Sequence, residues 1–486
     1  MQALNLKLAL LSAATVALAL TACGGGGGGA YSNSGSPPAV ATGVPTISGT
    51  VTGFGSVIVD GVRIDDSKVV AGVEIEDDSL VRTELKLGQR VDVEHDGARI
   101  AKGIWIRSEV EGPVEKVDVA TGTLQVLGQT IRINSDSAQG PVTVFGPPYT
   151  KLADVAVADV VEVHGLQKVD AAGKTSIQAT RIHKKNADAY NRVKGIVKDL
   201  SATVKTFSLG ELVIDFSDSK ILPTAAALVN GAEVHVAIPV GLVTKGVPVK
   251  AVVVKVKDRK GEAGDKEAEL GGLVSKLDLA KKSFVLDGKT IDASVATFAP
   301  ATKTIVDLKD GLYVRVNGIY QADGSIRAKV IVLRGADGVK NQELELHGTV
   351  LNFVSMADFT VRGINVDAST AKLDPVSCAG VTTLANLIQV EVMGSLGTGA
   401  KIIASAIKCE KSNDAIFVVE RKGKASAVDL TAKTFTLIQG TDTTKVAWRD
   451  LTLFVRVEAA SLDGKTVEVE GLLVGGVLQA AKIVLK

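Results

Sequence analysis

The chain has 486 residues and a formal net charge of +1; hydrophobic residues make up 46% of it, but aromatic residues only 4%. A single core does not accommodate this length, so we expect several domains. The near-neutral charge excludes a global field that would steer the chain toward nucleic acid, and we expect no nucleic-acid partner. The 50 glycines, together with an apolar fraction dominated by aliphatic residues, favour strands and tight turns over helices.

The N-terminal segment has the pattern of an export signal. Lys7 precedes an apolar run over residues 8–20, which is too short for a lasting membrane span. The sequence Leu20-Thr21-Ala22-Cys23 then resembles the lipobox of bacterial lipoproteins, in which the cysteine is acylated and becomes the first residue of the mature chain. The alternative is an ordinary signal peptide with a chance cysteine.

The lipobox resemblance implies a signal peptide over 1–22, a lipid anchor on Cys23 and membrane attachment through that lipid. Gly24 stands where an Asp often signals inner-membrane retention in such lipoproteins. We therefore expect the cell envelope, at the outer membrane, facing the periplasm or the cell surface. Residues 23–46 are rich in Gly, Ser and Pro and predict a flexible tether, because they cannot bury a core.

After the tether, a Gly-x-apolar opening recurs six times, at intervals of 63, 83, 77, 76 and 75 residues. The recurring glycines are Gly49, Gly112, Gly195, Gly272, Gly348 and Gly423. Each opens a series of short segments in which apolar and polar residues alternate, a pattern that predicts strands with one face in a core and the charged face in water. The predicted boundaries of repeats 1 to 6 are 47–108, 109–185, 192–257, 268–334, 344–409 and 418–486.

Each full copy contains five such segments. The second carries a phenylalanine in four copies, at Phe207, Phe284, Phe359 and Phe435, and a variable stretch separates the third from the fourth. This order matches an OB-like barrel. The predicted fold class is therefore all-β: a tandem array of about six small five-stranded OB-like antiparallel β-barrels. Short polar links such as 258–265 predict a jointed row that spans on the order of 150 Å.

The repeat, from its Gly-x-Val opening to its terminal Ala-x-x-Ile, resembles the bacterial family called domain of unknown function 5666. Tandem copies behind a lipoprotein signal are typical of that family, and the resemblance covers residues 47–486. It implies a fold and a location. The family has no established activity, so the resemblance implies no catalytic residue.

The polar motifs point to no cofactor and no metal site. Gly53-Phe54-Gly55-Ser56 lacks the lysine of a phosphate loop, which favours a strand-end turn with positive φ.

Glu162 and His164 share one strand face, but a pair supplies too few metal ligands, so we expect them to face solvent. The acidic stretch 74–78 has oxygen ligands for Ca²⁺ but no calcium-loop pattern, and a solvated loop is favoured.

Two segments are weighed as binding surfaces. The basic strip 181–185, with Arg192 and Lys194, is interpreted as a solvated linker rather than a polyanion contact. The insertion 140–149 is aromatic and stiffened by proline, and its Phe145 and Tyr149 are the candidate contact loop for a partner.

Cys378 and Cys409 both lie in repeat 5. Two thiols are too few for a closed zinc site, and an oxidising envelope favours a disulfide over two free buried thiols.

These observations predict a non-enzymatic, lipid-anchored envelope protein that acts as a structural or interaction scaffold, with an envelope protein or glycan as partner. The copies share apolar positions but no recurring polar cluster. A catalytic site that was repeated in each copy would leave such a cluster. The alternative is a ligand-binding module that uses the surface of one repeat for a glycan, a cation or a polyanion. An enzyme ranks third.

Overall fold

Strands dominate the described chain, as the alternating sequence predicts. The computed structural model describes residues 44–486 except 67–68, 70, 75–79, 170–173, 187–188, 258–265, 334–343, 387, 398–400, 411–417, 441 and 475–476. Within these residues there is no α-helix. The short 3-10 turns are Ser137–Gln139, Leu152–Asp154, Ala225–Ala227, Ile305–Asp307 and Ala459–Ser461. The predicted signal peptide, Cys23, most of the tether and the link 258–265 lie outside the described residues.

Within the described residues, the first three repeats contain twenty-one strands. Those of repeat 1 are Thr46–Phe54, Val57–Val59, Val62–Ile64, Gly72–Glu74, Leu80–Arg82, Arg90–His95 and Ala101–Ile106. Those of repeat 2 are Val110–Asp118, Thr123–Val126, Gln129–Ile133, Val144–Phe145, Val160–Val169 and Thr175–Lys184. Those of repeat 3 are Tyr190–Ile196, Lys198–Ser201, Thr206–Leu209, Leu212–Asp215, Lys220–Leu222, Glu233–Pro239, Val249–Lys250 and Val253–Val256.

The last three repeats are more regular. The strands of repeat 4 are Glu267–Asp278, Ser283–Leu286, Lys289–Asp292, Thr297–Ala299, Tyr313–Tyr320 and Ile326–Leu333. Those of repeat 5 are Leu344–Ser355, Asp358–Val361, Ile364–Asp367, Lys372–Leu373, Gln389–Leu396 and Ile402–Cys409. Those of repeat 6 are Val418–Asp429, Thr434–Gln439, Asp442–Val455, Thr466–Val474 and Val477–Leu485.

The predicted barrel order is confirmed in repeat 4. Its first strand pairs with the second and, along its other edge, with Tyr313–Tyr320, the fourth of the predicted five. The second strand pairs with the third, which runs parallel to the last strand, and the last strand closes the ring against the fourth. The same ring of five pairings closes in repeats 2, 5 and 6. The protein therefore contains several small closed barrels.

Repeats 1 and 3 follow the same order with interruptions. In repeat 3 the first strand breaks at Val197 and the last at residues 251–252. In repeat 1 a single bridge between Asp65 and Ile100 joins the third strand to the last. The predicted number of six closed barrels is therefore not established, although the all-β repeat architecture is.

The barrel interiors hold the alternating apolar residues. The four equivalent phenylalanines of the second strands, Phe207, Phe284, Phe359 and Phe435, are at most 2% exposed. Repeats 1, 4, 5 and 6 each have their own apolar cluster, whereas repeats 2 and 3 share one. Burial of these side chains stabilises each barrel by about 1.5–3 kcal/mol per large residue.

The expected jointed row is wrong, because residues 41–486 form one compact body. The first strand of repeat 1 runs parallel to the first strands of both repeat 4 and repeat 5, through pairs such as Ser48–Leu270 and Gly53–Glu345. Such ladders between repeats distant in sequence cannot form in an extended string.

Repeat 1 contacts each of the other five repeats. Besides these two ladders, the carbonyl of Gly88 accepts a hydrogen bond from Thr180 of repeat 2 at 2.7 Å. Glu74 forms an ion pair with Lys255 of repeat 3 at 3.2 Å, and Glu84 forms one with Lys482 of repeat 6 at 2.5 Å. Parts of the outward strand faces, expected in water, are therefore buried between repeats.

Candidate functional site

A cavity of about 620 Å³ lies where repeats 1, 2 and 3 meet, and we call it the junction cavity. Alternation along the last strand of repeat 3 builds one wall: Val254 points into the barrel, so Lys255 and Lys257 point outward to the cavity. The charged and titratable side chains of the lining are Glu74, Arg107, Glu109, Arg192, Lys194, His235, Lys255 and Lys257. Aliphatic side chains such as Val193 and Leu222 complete it.

Lys194 is the centre of a buried ion network beside this cavity. It is 9% exposed, and its Nζ lies 2.9 Å from Glu109 of repeat 2, 3.5 Å from Glu233 of its own repeat and 3.8 Å from Asp287 of repeat 4. Burial alone would lower the pKa of Lys194, but these three carboxylates raise it well above its usual value. Lys194 is therefore a permanent cation that joins three repeats.

Two acids of this network, Glu233 and Asp287, are held ionised. Burial alone would raise the pKa of Glu233, but Lys194 and Lys257 lower it to about 2. The pKa of Asp287 is lowered in the same way, against its burial, by Lys194 and Arg90.

His235 is the exception within the cavity. Its burial, followed by the charge of Lys194, lowers its pKa to about 3, so the ring is neutral at physiological pH.

The junction cavity has charged and aliphatic walls. Five basic side chains and two carboxylates line it, and each of the basic side chains is paired with a carboxylate of the lining or beside it. Cavities of this volume fall within the range of small-molecule sites. No local sequence pattern marks this cavity, because three repeats form it. The one related signal is the charge of residues 192–260, which carry 11 basic and 6 acidic residues, a net charge of +5.

A second polar cluster lies on the outer face of repeat 2. Glu162, His164 and His183 are close enough that one ligand atom from each lies within 4.8 Å of the others. The prediction that Glu162 and His164 face solvent is wrong: they are 5% and 0% exposed, since repeat 1 and the link to repeat 2 cover this strand face. The third member, His183, comes from the neighbouring strand, directly opposite Glu162 in the ladder.

A comparable cluster in repeat 5 has a different electrostatic character. His347 contacts Glu345 through Nε2 and lies 2.5 Å from Glu410 through Nδ1. Burial would lower the pKa of His347, but hydrogen bonds to these two carboxylates raise it to about 9. His347 is thus an imidazolium at neutral pH, with no lone pair to offer a metal ion.

The predicted solvated linker in the basic strip is also wrong. Arg181 is 5% exposed and donates to the carbonyl of Leu87 in repeat 1 at 2.9 Å. Lys185 pairs with Glu111 at 2.7 Å, and Arg192 pairs with the same carboxylate at 3.2 Å. Arg181 and Arg192 thus connect neighbouring repeats, whereas Lys185 pairs within repeat 2. In this strip Lys184, beside Asp159, keeps a side chain that is nearly half exposed.

The candidate contact loop does not present its aromatic rings. Phe145 and Tyr149 are 8% and 3% exposed and belong to the shared apolar core of repeats 2 and 3. Tyr149 donates a hydrogen bond to Asp159 at 2.7 Å. The prediction of an aromatic contact surface is therefore wrong; of this loop, Pro147 and Pro148 are exposed.

The glycine-rich turn 53–56 is a packing element. Gly55 has φ of +145°, as expected, and a Cβ there would lie 2.5 Å from Cβ of His347 in repeat 5. A Cβ on Gly53 would overlap the carbonyl oxygen of Glu345.

Of the acidic stretch 74–78, Glu74 pairs with Arg107 at 3.3 Å, and residues 75–78 lie outside the described residues.

The predicted disulfide is confirmed. Cys378 and Cys409 are bonded, with Cα atoms 4.8 Å apart, and the bridge ties the variable segment of repeat 5 to the end of its last strand.

Comparison with known families identifies part of the chain. Residues 111–183, 271–332 and 422–484 match the family described as Domain of unknown function (DUF5666). These segments fall in repeats 2, 4 and 6, and the intervening repeats have the same strand order. No curated protein matches the chain. Among the described residues, no helix has the length and apolarity needed to cross a membrane.

Proposed function

Since repeats 2, 4 and 6 belong to the Domain of unknown function (DUF5666) family, whose description states no activity, we propose that this chain is a non-enzymatic, lipid-anchored envelope protein whose packed repeats form an interaction scaffold. The observation that supports the proposal is the use of one equivalent position in different repeats. The residue before the repeat glycine is Glu111 in repeat 2, Lys194 in repeat 3 and His347 in repeat 5.

Each of these three residues contacts another repeat. Glu111 pairs with Arg192 of repeat 3, and Lys194 pairs with Glu109 of repeat 2. His347 packs against Gly55 of repeat 1. The residue type at this position therefore varies with the neighbouring repeat that it contacts, as expected of a position that joins repeats. A catalytic site copied with the repeat would instead keep the same residue type in each copy.

The anchor is tested by fractionation. Cys23→Ser removes the thiol that the lipobox resemblance assigns to acylation, and we expect the variant to leave the membrane fraction. A Ser variant that stays firmly in the membrane fraction contradicts the anchor.

The scaffold function is tested by crosslinking in the envelope with the wild-type mature chain and a Lys194→Met variant. We expect the wild-type chain to crosslink to defined partners. The Lys194→Met variant, in which the junction between repeats is weakened, should lose these crosslinks. Turnover of any substrate that a single substitution abolishes would contradict the non-enzymatic assignment.

The junction cavity favours a second candidate function, the binding of a small amphipathic anion. Its five basic side chains include Lys257, which lies 3.8 Å from Glu233 and is a quarter exposed. We expect a short dicarboxylate or inorganic phosphate to raise the melting temperature of the mature chain. Lys257→Met should weaken binding at least tenfold, whereas Lys245→Met, at a highly exposed position outside the cavity, should leave it unchanged. Equal effects of both variants would indicate nonspecific charge attraction.

A further inference from the structure

We propose that Glu162, His164 and His183 form a binding site for one divalent transition-metal ion of the zinc class. Two imidazoles and one carboxylate are a ligand set that Zn²⁺ accepts with the remaining position left to water or a further ligand. The inference is independent of the proposed function, since the three residues belong to one repeat and do not line the junction cavity.

The ladder between the last two strands of repeat 2 brings the ligands together. Glu162 is directly opposite His183, and His164 is two residues further along the strand on the same face. Nε2 of His164 lies 2.8 Å from Glu162, and Nε2 of His183 lies 3.8 Å from it. Donors of a tetrahedral zinc ion are about 3.3 Å apart. To close around the metal, His164 and Glu162 therefore need to separate by about 0.5 Å, and His183 needs to approach Glu162 by about 0.5 Å.

The hydrogen bonds of His164 orient it for ligation. Its Nδ1 lies 2.9 Å from the carbonyl oxygen of Arg107, which can only accept, so Nδ1 carries a proton. A metal-ligating histidine usually makes this kind of contact through its second nitrogen. The opposite nitrogen, Nε2, is buried and lies 2.8 Å from a carboxylate oxygen of Glu162. A cation between the two groups would satisfy both.

His183 supplies the second imidazole, with its Nε2 facing the carboxylate of Glu162. Its Nδ1 is a buried atom without a hydrogen-bond partner among the described residues, and its side chain is 17% exposed, which leaves a path from solvent.

Lys185 is the competitor for this site. Its ammonium lies 3.0 Å from Glu162, where it neutralises the carboxylate when no metal is bound. The same ammonium lies 2.7 Å from Glu111. A metal ion can therefore displace Lys185 from Glu162 without leaving the lysine unpaired, and removal of the ammonium should favour the metal.

The test is a Zn²⁺ titration of the full mature chain carrying Cys23→Ser, without a histidine tag and after treatment with a chelator. With the disulfide intact this protein has no free thiol, so sulfur ligands do not contribute. We expect one Zn²⁺ per chain at micromolar or lower concentration. Co²⁺ bound in its place should give the visible absorption of a low-symmetry site.

Four variants decide the assignment. His183→Gln and His164→Gln should each weaken Zn²⁺ binding about a hundredfold and abolish the cobalt spectrum. His183 is the less buried of the two, so its variant retains the fold if His164→Gln does not; melting without zinc checks this. Lys185→Met should bind Zn²⁺ at least as tightly as the wild type. His347→Gln, in the cluster of repeat 5, is the matched control and should leave binding unchanged.

Three results would overturn the proposal. The first is no stoichiometric binding by the wild type at micromolar Zn²⁺. The second is binding that a folded His183→Gln variant retains, which would indicate an adventitious surface site. The third is an equal loss in His183→Gln and His347→Gln, which would indicate a general loss of structure rather than of ligands.

Discussion

Phe284, inside the barrel of repeat 4, and Lys194, at the junction of repeats 2, 3 and 4, are hidden from solvent to nearly the same degree, at 1% and 9% exposure. They are held by different forces. The phenylalanine is buried among apolar residues of its own repeat, whereas the lysine depends on carboxylates from three repeats. A barrel interior is thus specified within one repeat. A junction is specified only by the partners that other repeats supply.

The largest effect is expected inside a barrel. Phe359→Ala removes a fully buried ring from repeat 5 and should lower the free energy of unfolding by about 3–5 kcal/mol, through lost transfer energy and the cavity left behind. Urea denaturation of the mature chain measures it. Val354→Ala, at a position that is 76% exposed in the same repeat, is the control and should stay within about 0.5 kcal/mol of the wild type.

Substitution of a buried charged residue at a junction should lower the free energy of unfolding almost as much. Substitution of a solvated charged residue should not, so the comparison of the two distinguishes a buried charged face from a solvated one. Lys194→Met leaves three buried carboxylates without their shared ammonium, and we expect a loss of about 3 kcal/mol or more. Lys250→Met breaks an ion pair with Asp218 whose two side chains are at least 65% exposed, and we expect it to leave the free energy of unfolding nearly unchanged. Equal, small effects of both changes would place the outer faces in water, as the sequence alone suggested.

The interior was predictable because alternation is a local signal. Phe207, Phe284, Phe359 and Phe435 were assigned to the second strands from their spacing, and all four are buried there. The outer faces alternate in the same way whether they meet water or another repeat. The burial of Glu162 or Lys194 therefore has no local signature, and the compact packing around repeat 1 was missed for the same reason.

The third residue of the cluster in repeat 2 was unpredictable for a more specific reason. The hairpin begins with Val169 opposite Thr175, and continuing that register would place His183 opposite Val161, which points into the barrel. A β-bulge at residues 164–165 shifts the register by one, so that His183 lies beside Glu162 on the outer face. A shift of one residue exchanges the faces of a strand, and nothing in the residue pattern marks its position.

The disulfide offers a way to weaken one repeat without changing a barrel interior or an ion pair. The double variant Cys378→Ser, Cys409→Ser opens a link between residues 31 apart, and the chain-entropy account predicts a loss of roughly 2–4 kcal/mol. Hydrogen exchange should show protection falling in repeat 5 before the others. The premise is checked by alkylation of the unfolded, unreduced chain: labelling of both cysteines would show that no bridge is present.

The last effect, at most about 3 kcal/mol, is expected from a junction charge that titrates. His347 is surrounded by Glu345 and Glu391 of repeat 5, by Glu410 directly after that repeat and by Arg63 of repeat 1, and its pKa is raised from 6.5 to about 9. Because the folded pKa lies above the unfolded one, the stabilisation is fully present below about pH 6.5. It is lost as the pH rises through about 9, where the folded imidazolium gives up its proton.

The measurement is the difference in the free energy of unfolding between the wild type and His347→Gln from pH 6 to 9.5. A glutamine does not titrate, so this difference removes the contribution of other groups in the same range, such as Glu420, whose pKa burial and Glu468 raise to about 7. We expect the advantage of the wild type to shrink as the pH rises. A difference that is constant across the range would mean that the pKa of His347 is the same in the folded and the unfolded protein. The junction between repeats 1 and 5 would then rest on strand pairing and close packing at Gly53 and Gly55 rather than on charge.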